Sequence, residues 1–248
     1  MNHIAVIDDP TLLRSYAAEG NDDAFAEIVR RHLSFVYATA LRRLGGDTHR
    51  ARDVTQIVFC ALAREAGNVA RQPVLGGWLY TTTRNVVINL VRGEKRRRTR
   101  EEEASHMQRI DSDSGDSADW SRLRPVLDSA LDRLGAQERE AVLERFFRGR
   151  SFGEIGASLG LSEEAARKRV DRAVGKLRDL LRPHGIASTS AALATVLLSQ
   201  PVSAAPVGLL GSVTSAALSS GSAAAAAGAA TFFTMTKLQA GVAAAILL

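Results

Sequence analysis

The stretch SFGEIGASLGLSEEAARKRVDRAVGKLRDLL, residues Ser151–Leu181, predicts two helices joined by a tight turn, the second of them strongly basic. Ser151 and Glu154 have the spacing of a capping box, which satisfies free backbone N–H groups at the start of a helix. Gly160 interrupts the helical pattern where a turn requires positive φ, and Ser162 can cap the second helix. This pattern is typical of a helix-turn-helix, whose second helix lies in the DNA major groove.

The helical period of about 100° per residue separates two faces of this second helix. The face expected to pack on the first helix is apolar and comprises Ala166, Val170, Ala173, Val174 and Leu177. Near the N-terminal end we assign base readout to Glu164, Ala165 and Lys168. Contact with phosphates, which gives affinity but no sequence information, is assigned to Arg169, Arg172 and Lys176. The alternative is an amphipathic helix with a solvated charged face, but the compact turn and the one-sided basic stripe favour DNA binding.

Composition favours an anionic partner and divides the chain into two unlike parts. The net charge is +5 and the sequence pI is about 9.9, which suits nucleic acid or a membrane surface. After Arg182 the only charged side chain is Lys237. The single cysteine, Cys60, excludes a disulfide within the chain and is expected to be a small buried hydrophobe. The first ten residues lack the pattern of a signal peptide, so we expect the main body to be cytoplasmic.

The first half of the chain predicts four helices. In the third, about 48–65, the residues expected to face inward are Val54, Ile57, Val58, Ala61 and Leu62, with Asp53 and Gln56 on an exposed flank. A loop is predicted over Gly67–Gly77, and the fourth helix runs to about Arg98. Its core face is predicted to be Tyr80, Thr83, Val87, Leu90 and Val91.

The outer face of the fourth helix is the second candidate nucleic-acid surface. It comprises Thr81, Thr82, Asn85, Asn89, Arg92 and Arg96, and it leads into a run of four basic residues. Amide and hydroxyl groups followed by cations suit contact with bases and then with the backbone. The alternative is a polar outer face with cations at the favourable C-terminal end of a helix. The residues alone leave both interpretations open.

Several motifs occur in a fixed order along the chain. They are Asp53-Val54-Thr55-Gln56-x-Val58-Phe59, Gly77-Trp78-Leu79-Tyr80-x-x-x-Arg84-Asn85 with its following basic run, and Leu134-Gly135-x-x-Glu138-Arg139 ahead of Glu154-Ile155. Over about Thr11–Arg182 this ordered set resembles bacterial RNA polymerase sigma factors. The small two-domain kind, the extracytoplasmic-function (ECF) group, fits best.

The resemblance implies partners and roles. Asp53 and Gln56 would dock on the clamp helices of the largest subunit of core RNA polymerase. The loop Gly67–Gly77 and the outer face of the fourth helix would capture the unpaired strand of the promoter −10 element; the residues are Arg84, Asn85 and Asn89, with Arg92 and Arg96 further along the helix. The second helix of the helix-turn-helix would bind the −35 element. The chain would thus be a dissociable specificity subunit for transcription initiation, and an anti-sigma factor is a further candidate partner.

The expected fold is all-α, with two small helical domains. Residues 11–98 would form sigma region 2 and residues 121–182 the helix-turn-helix of sigma region 4, joined by a flexible acidic linker over 99–120. An apolar extension rich in Ala, Ser and Gly follows over 183–248. Two outcomes are open for it, a mostly disordered arm or membrane association through Phe232, Phe233 and Leu238–Leu248; we favour an arm that ends in a membrane-seeking helix.

Other classes of function fit the chain less well. An autonomous helix-turn-helix regulator has no need of a second nucleic-acid helix preceded by an Asp53 and Gln56 docking helix. A receiver domain is suggested by His3–Asp9, but no further strand pattern follows. No phosphate-binding loop, zinc-ligand spacing or Cys/His/Asp set is visible. We therefore expect no enzymatic activity, no catalytic residues, no metal and no cofactor.

Overall fold

The structure is a computed structural model that describes residues 7–72, 74–102, 118–186, 189–198 and 204–226. Across these ranges the regular elements are helices, without strands, as the sequence predicted. The first domain contains α1 (Asp9–Glu19), α2 (Asp22–Arg43), α3 (Thr48–Val69) and α4 (Leu75–Glu102). The second contains α5 (Ala118–Arg133), α6 (Ala136–Val142), a π-helical turn (Leu143–Phe147), α7 (Phe152–Leu159) and α8 (Glu163–Leu181).

Capping residues in the sequence set the helix boundaries in the first domain. Asp8, Asn21 and Asp47 each accept a hydrogen bond from the backbone N–H three residues ahead, which satisfies one of the free donors at a helix start. Gly20 ends α1 in the left-handed region, with φ of 68°. The side chains of Phe25, Ile28 and Phe59 are fully buried, so α2 and α3 enclose the centre of this domain.

The loop between α3 and α4 is shorter than predicted. The sequence placed it over Gly67–Gly77, but only residues 70–74 lie outside the two helices. Glycine inside a helix costs only about 1 kcal/mol, so it does not by itself end a helix. Gly76 and Gly77 lie in the first turn of α4, where glutamate carboxylates of the second domain approach the backbone so closely that a Cβ would require them to shift.

The linker lies largely outside the described residues. Helix α4 continues to Glu102 and α5 begins at Ala118, so both helices extend into the range 99–120 that was assigned to the linker. The acidic residues between them fall at 103–117, which the structure does not describe.

The C-terminal extension is partly folded. Helices α9 (Ser190–Leu198) and α10 (Leu209–Ala226) lie within it. Helix α9 packs on α8 and on the π-helical turn, whereas α10 packs on α3 and α2. The expectation of a disordered arm is therefore wrong for these two segments, because a few apolar side chains at helical spacing suffice to dock each helix: Leu193 and Leu197 of α9, and Leu209, Val213 and Ala217 of α10.

The membrane prediction concerned Phe232, Phe233 and Leu238–Leu248, which lie outside the described residues. Among the helices that are described, none is both long enough and apolar enough to cross a membrane.

Candidate polymerase- and promoter-binding surfaces

The turn between α7 and α8 has the geometry that the sequence predicted. The Ser151 Oγ accepts a hydrogen bond from the Glu154 backbone N–H at 3.2 Å, and a Glu154 carboxylate oxygen accepts one from the Ser151 backbone N–H at 2.8 Å. Gly160 has φ of 65°, and Ser162 caps α8. Gly156 is a further requirement that sequence reasoning missed, because an added Cβ would lie 2.7 Å from the Leu161 carbonyl oxygen. Together these residues fix the direction in which α8 leaves the turn.

Helix α8 has the two faces that its period predicted. The apolar face is buried throughout, at Ala166, Val170, Ala173, Val174 and Leu177. Among the residues assigned to base readout, Glu164 and Lys168 are exposed and Ala165 is half-buried. Among those assigned to phosphates, Arg172 and Lys176 are exposed and Arg169 is half-buried. The candidate DNA-binding face is thus open to solvent.

Two lysines on this face are paired with carboxylates. Lys168 Nζ lies 2.7 Å from a Glu164 carboxylate oxygen one turn earlier, and both side chains are at least 70% exposed. An exposed pair of this kind contributes about 0.2–1 kcal/mol, so a phosphate can replace the Glu164 carboxylate at small cost. Lys176 pairs with Glu138 of α6, whose side chain is 18% exposed.

The second candidate surface lies on α4. Asn85 and Asn89 are exposed, as predicted, and so is Arg92. Arg96 belongs to the same helix, but its side chain lies outside the described residues. Val91 was assigned to the core and is instead 47% exposed. The angular position of a residue predicts its direction on a helix, but not whether a neighbouring helix reaches far enough to cover it.

Arg84 of α4 is engaged with the second domain. Its Nε donates a hydrogen bond to Asp132 of α5 at 2.8 Å, and its Nη1 donates a long one, 3.4 Å, to the Asn85 side-chain oxygen. A carboxylate of α5 thus holds Arg84, one of the residues predicted to contact the −10 strand.

The Asp132 contact belongs to a buried cluster of charges between the two domains. Arg42 donates two hydrogen bonds to Asp128, at 2.7 and 2.8 Å, and Arg43 donates to Asp132 at 2.8 Å. The Tyr80 hydroxyl accepts a hydrogen bond from Arg43 at 2.6 Å. The side chains of Arg42, Arg43 and Asp128 are at most 10% exposed. These buried pairs join α2 and α4 of the first domain to α5 of the second.

Burial and charge shift the pKa values in this cluster in opposite directions. Burial raises the pKa of Tyr80, so the hydroxyl stays protonated. Burial alone would also raise the pKa of Asp132, but hydrogen bonds and charge from Arg43 and Arg84 hold it below its usual range. Asp132 therefore remains a carboxylate, as a partner for two arginines requires.

A second charged cluster joins α1 and α2 to the π-helical turn. His32 Nε2 lies 2.8 Å from Asp9, and Arg148 lies 3.6 Å from the same carboxylate. Arg148 also donates a hydrogen bond of 2.8 Å to the fully buried Glu144. Burial opposes ionisation of Asp9, but the His32 hydrogen bond and charge, with Arg148, hold the pKa of Asp9 well below its usual range. Burial lowers the pKa of His32.

Two carboxylates of the second domain lie at the start of α4. A Cβ added at Gly77 would lie 2.9 Å from a Glu140 carboxylate oxygen, and one added at Gly76 would overlap Glu144. The start of a helix favours negative charge, which suits both groups. Burial, followed by repulsion from Glu144, nevertheless raises the pKa of Glu140 to about 7. Sequence reasoning missed all these contacts. Its only signal was pairs of acidic residues four positions apart, Asp128 with Asp132 in α5, and Glu140 of α6 with Glu144 of the π-helical turn.

The predicted docking residues lie on α3. Asp53 and Gln56 are exposed, as predicted. Ile57 was expected to face inward and is instead 41% exposed, beside them on the same face. The next turn of this face carries Cys60, which is buried as predicted. The exposed Ile57 adds an apolar group to the surface that Asp53 and Gln56 form.

No group of three or more His, Cys, Asp or Glu side chains within the described ranges is arranged to hold a metal ion.

Comparison with known proteins agrees with the two-domain architecture. The family model for sigma-70 region 2 matches residues 28–97, and that for sigma-70 region 4 matches residues 130–179. The ECF RNA polymerase sigma factor SigE of Mycolicibacterium smegmatis is 35% identical over 183 residues, which cover 71% of this chain and 70% of SigE. The RNA polymerase sigma factor CarQ of Myxococcus xanthus is 34% identical over 166 residues, 66% of this chain and 92% of CarQ.

Among solved structures, a complex of the sigma factor RpoE with the anti-sigma factor NepR from Bartonella quintana matches 60% of this chain and 92% of that chain, at 22% identity and a TM-score of 0.29. A region 2 match is not expected of an autonomous helix-turn-helix regulator, so that alternative is not favoured. The chain binds core RNA polymerase and directs it to promoters as an initiation factor rather than as an enzyme. It belongs to the ECF group of bacterial RNA polymerase sigma factors.

Proposed function

We propose that three helices of this sigma factor each bind a different target. Helix α3 docks on the clamp helices of core polymerase through Asp53 and Gln56, α4 captures the unpaired −10 strand, and α8 reads the −35 element. The observation that carries the proposal is that α8 is buried on one face only: its apolar face is packed inside the domain, while Lys168 and Arg172 face solvent. A helix held this way can enter the major groove without rearranging its own domain.

On α4 the groups proposed for the −10 strand are amides followed by cations. Asn85 and Asn89 each offer a donor and an acceptor to an unpaired base, and both side chains are exposed. Arg92 and Arg96 then follow towards the C-terminal end of the helix and would bind the DNA backbone. Arg84 joins this surface when Asp132 releases it, so the two domains must separate, at least locally, before all the proposed residues reach DNA.

Base-pair opening then needs no catalytic group. A protein that binds the unpaired strand more tightly than the duplex shifts the equilibrium towards the open form. Because polymerase sets the separation of the two DNA-binding domains, the isolated chain is expected to bind duplex promoter DNA weakly. The proposed place of action is the cytoplasm, together with polymerase and DNA.

The test is initiation in vitro with purified core polymerase, using two matched variants. Asn85→Ala should slow promoter opening while leaving polymerase binding unchanged. The double variant Asp53→Ala, Gln56→Ala should lose polymerase binding. A fluorescent base in the −10 element reports opening, and a labelled sigma chain reports polymerase binding. Normal opening by the Asn85 variant would remove Asn85 from the surface, and tight sequence-specific binding by the chain alone would favour an autonomous regulator.

Two further partners are part of the proposal. An anti-sigma factor would bind the same surfaces. It would be identified as a protein that competes with core polymerase for binding to this chain. Membrane contact through Phe232, Phe233 and Leu238–Leu248 is tested by removing residues 227–248 and comparing membrane fractions. If the truncated chain no longer associates with membranes, the contact is supported. If the full chain does not associate with membranes either, the contact is rejected.

A further inference from the structure

Helix α10 of the C-terminal extension covers part of the helix that carries the polymerase-docking residues. Leu209, Val213 and Ala217 recur every four residues and are buried against the first domain. The Ser220 hydroxyl donates a hydrogen bond of 2.8 Å to the Ala217 carbonyl oxygen within α10 and lies 3.5 Å from the Cys60 carbonyl oxygen. Among the described elements, α3 is the one with which α10 makes its most extensive contact.

The part of α3 that α10 covers lies on the same helix face as the exposed Asp53 and Gln56. At about 100° per residue, Cys60 projects between the directions of Asp53 and Gln56, one to two turns further along the helix. Asp53 and Gln56 are exposed, whereas Cys60 is 9% exposed and Ala63 is 7% exposed. One face of α3 is thus open at its N-terminal half and occupied by α10 at its C-terminal half.

Small residues allow α10 to lie close to this face. A Cβ added at Gly221 would overlap the Tyr16 hydroxyl and lie 3.5 Å from the Ala63 Cβ. The sequence of α10, LLGSVTSAALSSGSAAAA, contains no charged residue, so this helix makes no ion pair with α3. Apart from Leu209 and Val213, the contact runs through alanine, serine and glycine, which bury little apolar surface per residue, so the cover is weak compared with a core helix.

We infer that α10 is an intramolecular competitor of core polymerase for the face of α3 that Asp53, Gln56, Ile57 and Cys60 define. The inference rests on the proposed docking at Asp53 and Gln56 and names its regulation. A polymerase helix that follows this face beyond Gln56 meets α10 at Cys60. Polymerase therefore binds the fraction of chains in which α10 has moved away, and its apparent affinity is reduced by that fraction.

Cys60 supplies a direct measure of this movement. It is the only cysteine in the chain, its side chain is buried, and its carbonyl oxygen lies 3.5 Å from the Ser220 hydroxyl of α10. We therefore expect its rate of modification by a thiol reagent to rise when α10 leaves α3. The same protein sample then serves for a titration with core polymerase. The two readouts separate displacement of α10 from its consequence for binding.

Two substitutions displace α10, and each has a matched control on the same helix. Ala217→Glu places a charge at a fully buried position, whereas Ser215→Glu places the same charge at an exposed one. Gly221→Leu collides with Tyr16, whereas a Cβ at the exposed Gly211 meets nothing within 4 Å, so Gly211→Leu is its control. Both sets are made in the full chain, and thermal unfolding confirms that the domains remain folded.

The expected result is faster Cys60 modification and tighter polymerase binding, by about tenfold if α10 covers α3 in nine chains out of ten. Ser215→Glu and Gly211→Leu should match the parent chain. Faster modification with unchanged or weaker polymerase binding would overturn the inference, because α10 would then be a structural part of the first domain. Unchanged modification in both Ala217→Glu and Gly221→Leu would overturn it too, since α10 would not separate from α3.

Failure of the underlying docking proposal gives a different result. If Asp53→Ala with Gln56→Ala leaves polymerase affinity unchanged, docking at that surface is wrong whatever α10 does. If that double variant weakens binding but the α10 variants do not strengthen it, docking stands and the competition is rejected.

Discussion

The two DNA-binding helices differ in how freely they can meet their targets. Helix α8 presents Lys168 and Arg172 to solvent, and its charged groups are held by exposed pairs such as Lys168 with Glu164. Helix α4 has Arg84 bound to a carboxylate of the other domain and lies beside the buried pair of Arg42 with Asp128. Basic side chains are therefore available to DNA on α8, whereas Arg84 on α4 is already bound. The difference comes from the buried group of Arg42, Arg43 and Asp128 beside Asp132, in which each side chain is at most 10% exposed.

The largest effect is expected from Asp128→Ala. This substitution leaves Arg42 and Arg43 buried without a carboxylate that both of them contact. Removing one partner of a buried pair typically costs about 3–5 kcal/mol. We expect the contact between α2 and α5 to open, which brings α4 closer to the accessibility of α8. Fluorescence energy transfer between labels on the two domains measures the opening, and an unchanged distance would contradict it.

The control is Asp179→Ala. Asp179 pairs with its neighbour Arg178, and both side chains are at least 42% exposed. Its removal should change neither the distance between the domains nor the free energy of unfolding by more than about 0.5 kcal/mol.

The free energy of unfolding is also expected to depend on pH through Glu140, which lies at the start of α4. Burial raises the pKa of Glu140 to about 7, so the folded chain binds a proton that the unfolded chain releases near the ordinary value of 4.5. The stabilising contribution of this carboxyl is therefore complete below about pH 4.5 and is lost as pH rises towards 7. At about 1.4 kcal/mol per pKa unit, the upper limit is about 3 kcal/mol.

Glu140→Gln isolates this contribution. The variant should match the parent chain near pH 4.5 and exceed its free energy of unfolding at pH 8. Other groups, including His32, whose lowered pKa acts in the opposite direction, contribute equally to both proteins and cancel in the difference. Denaturant unfolding at the two pH values measures it. A difference that does not grow with pH would show that Glu140 is already ionised at low pH in the folded chain.

On α8, substitutions should change DNA binding without changing the arrangement of the domains. Lys168→Ala should relax sequence preference within the −35 element at a cost of about 1–3 kcal/mol if Lys168 contacts a base. Arg172→Ala should weaken binding to all upstream sequences alike and flatten its salt dependence. Binding of the sigma–polymerase complex to a panel of −35 variants distinguishes the two. An exchange of these phenotypes would show that the assigned rotation of α8 is wrong.

The smallest effect is expected from Glu164→Gln. The pair with Lys168 is one turn of helix apart and exposed, so its loss should change the free energy of unfolding by less than about 0.5 kcal/mol. Chemical denaturation measures this value, with Asp128→Ala as the contrasting variant. A loss of several kcal/mol would mean that pairs on α8 are as strongly held as those beside α4.

Much of the local structure could be predicted because its causes lie within a few residues. The capping box of Ser151 with Glu154, the turn at Gly160 and the two faces of α8 depend on contacts three or four positions apart. The exposed Asp53 and Gln56 followed from the period of α3, whereas the burial of Cys60 followed from the preference of a free cysteine for the interior. Val91 and Ile57 were misplaced because helical period predicts a direction and says nothing about where a neighbouring helix ends.

Caps, turns and helical periods are local, so the helical architecture, the helix-turn-helix and the family could all be predicted from the sequence. Tertiary packing alone brings Asp132 to Arg84, Glu140 and Glu144 to the start of α4, and α10 to the backbone of α3 at Cys60. These contacts join residues 48 to 160 positions apart in the chain. Their physical cause is the burial of charge and of small side chains between packed helices, which no periodicity along a single helix encodes.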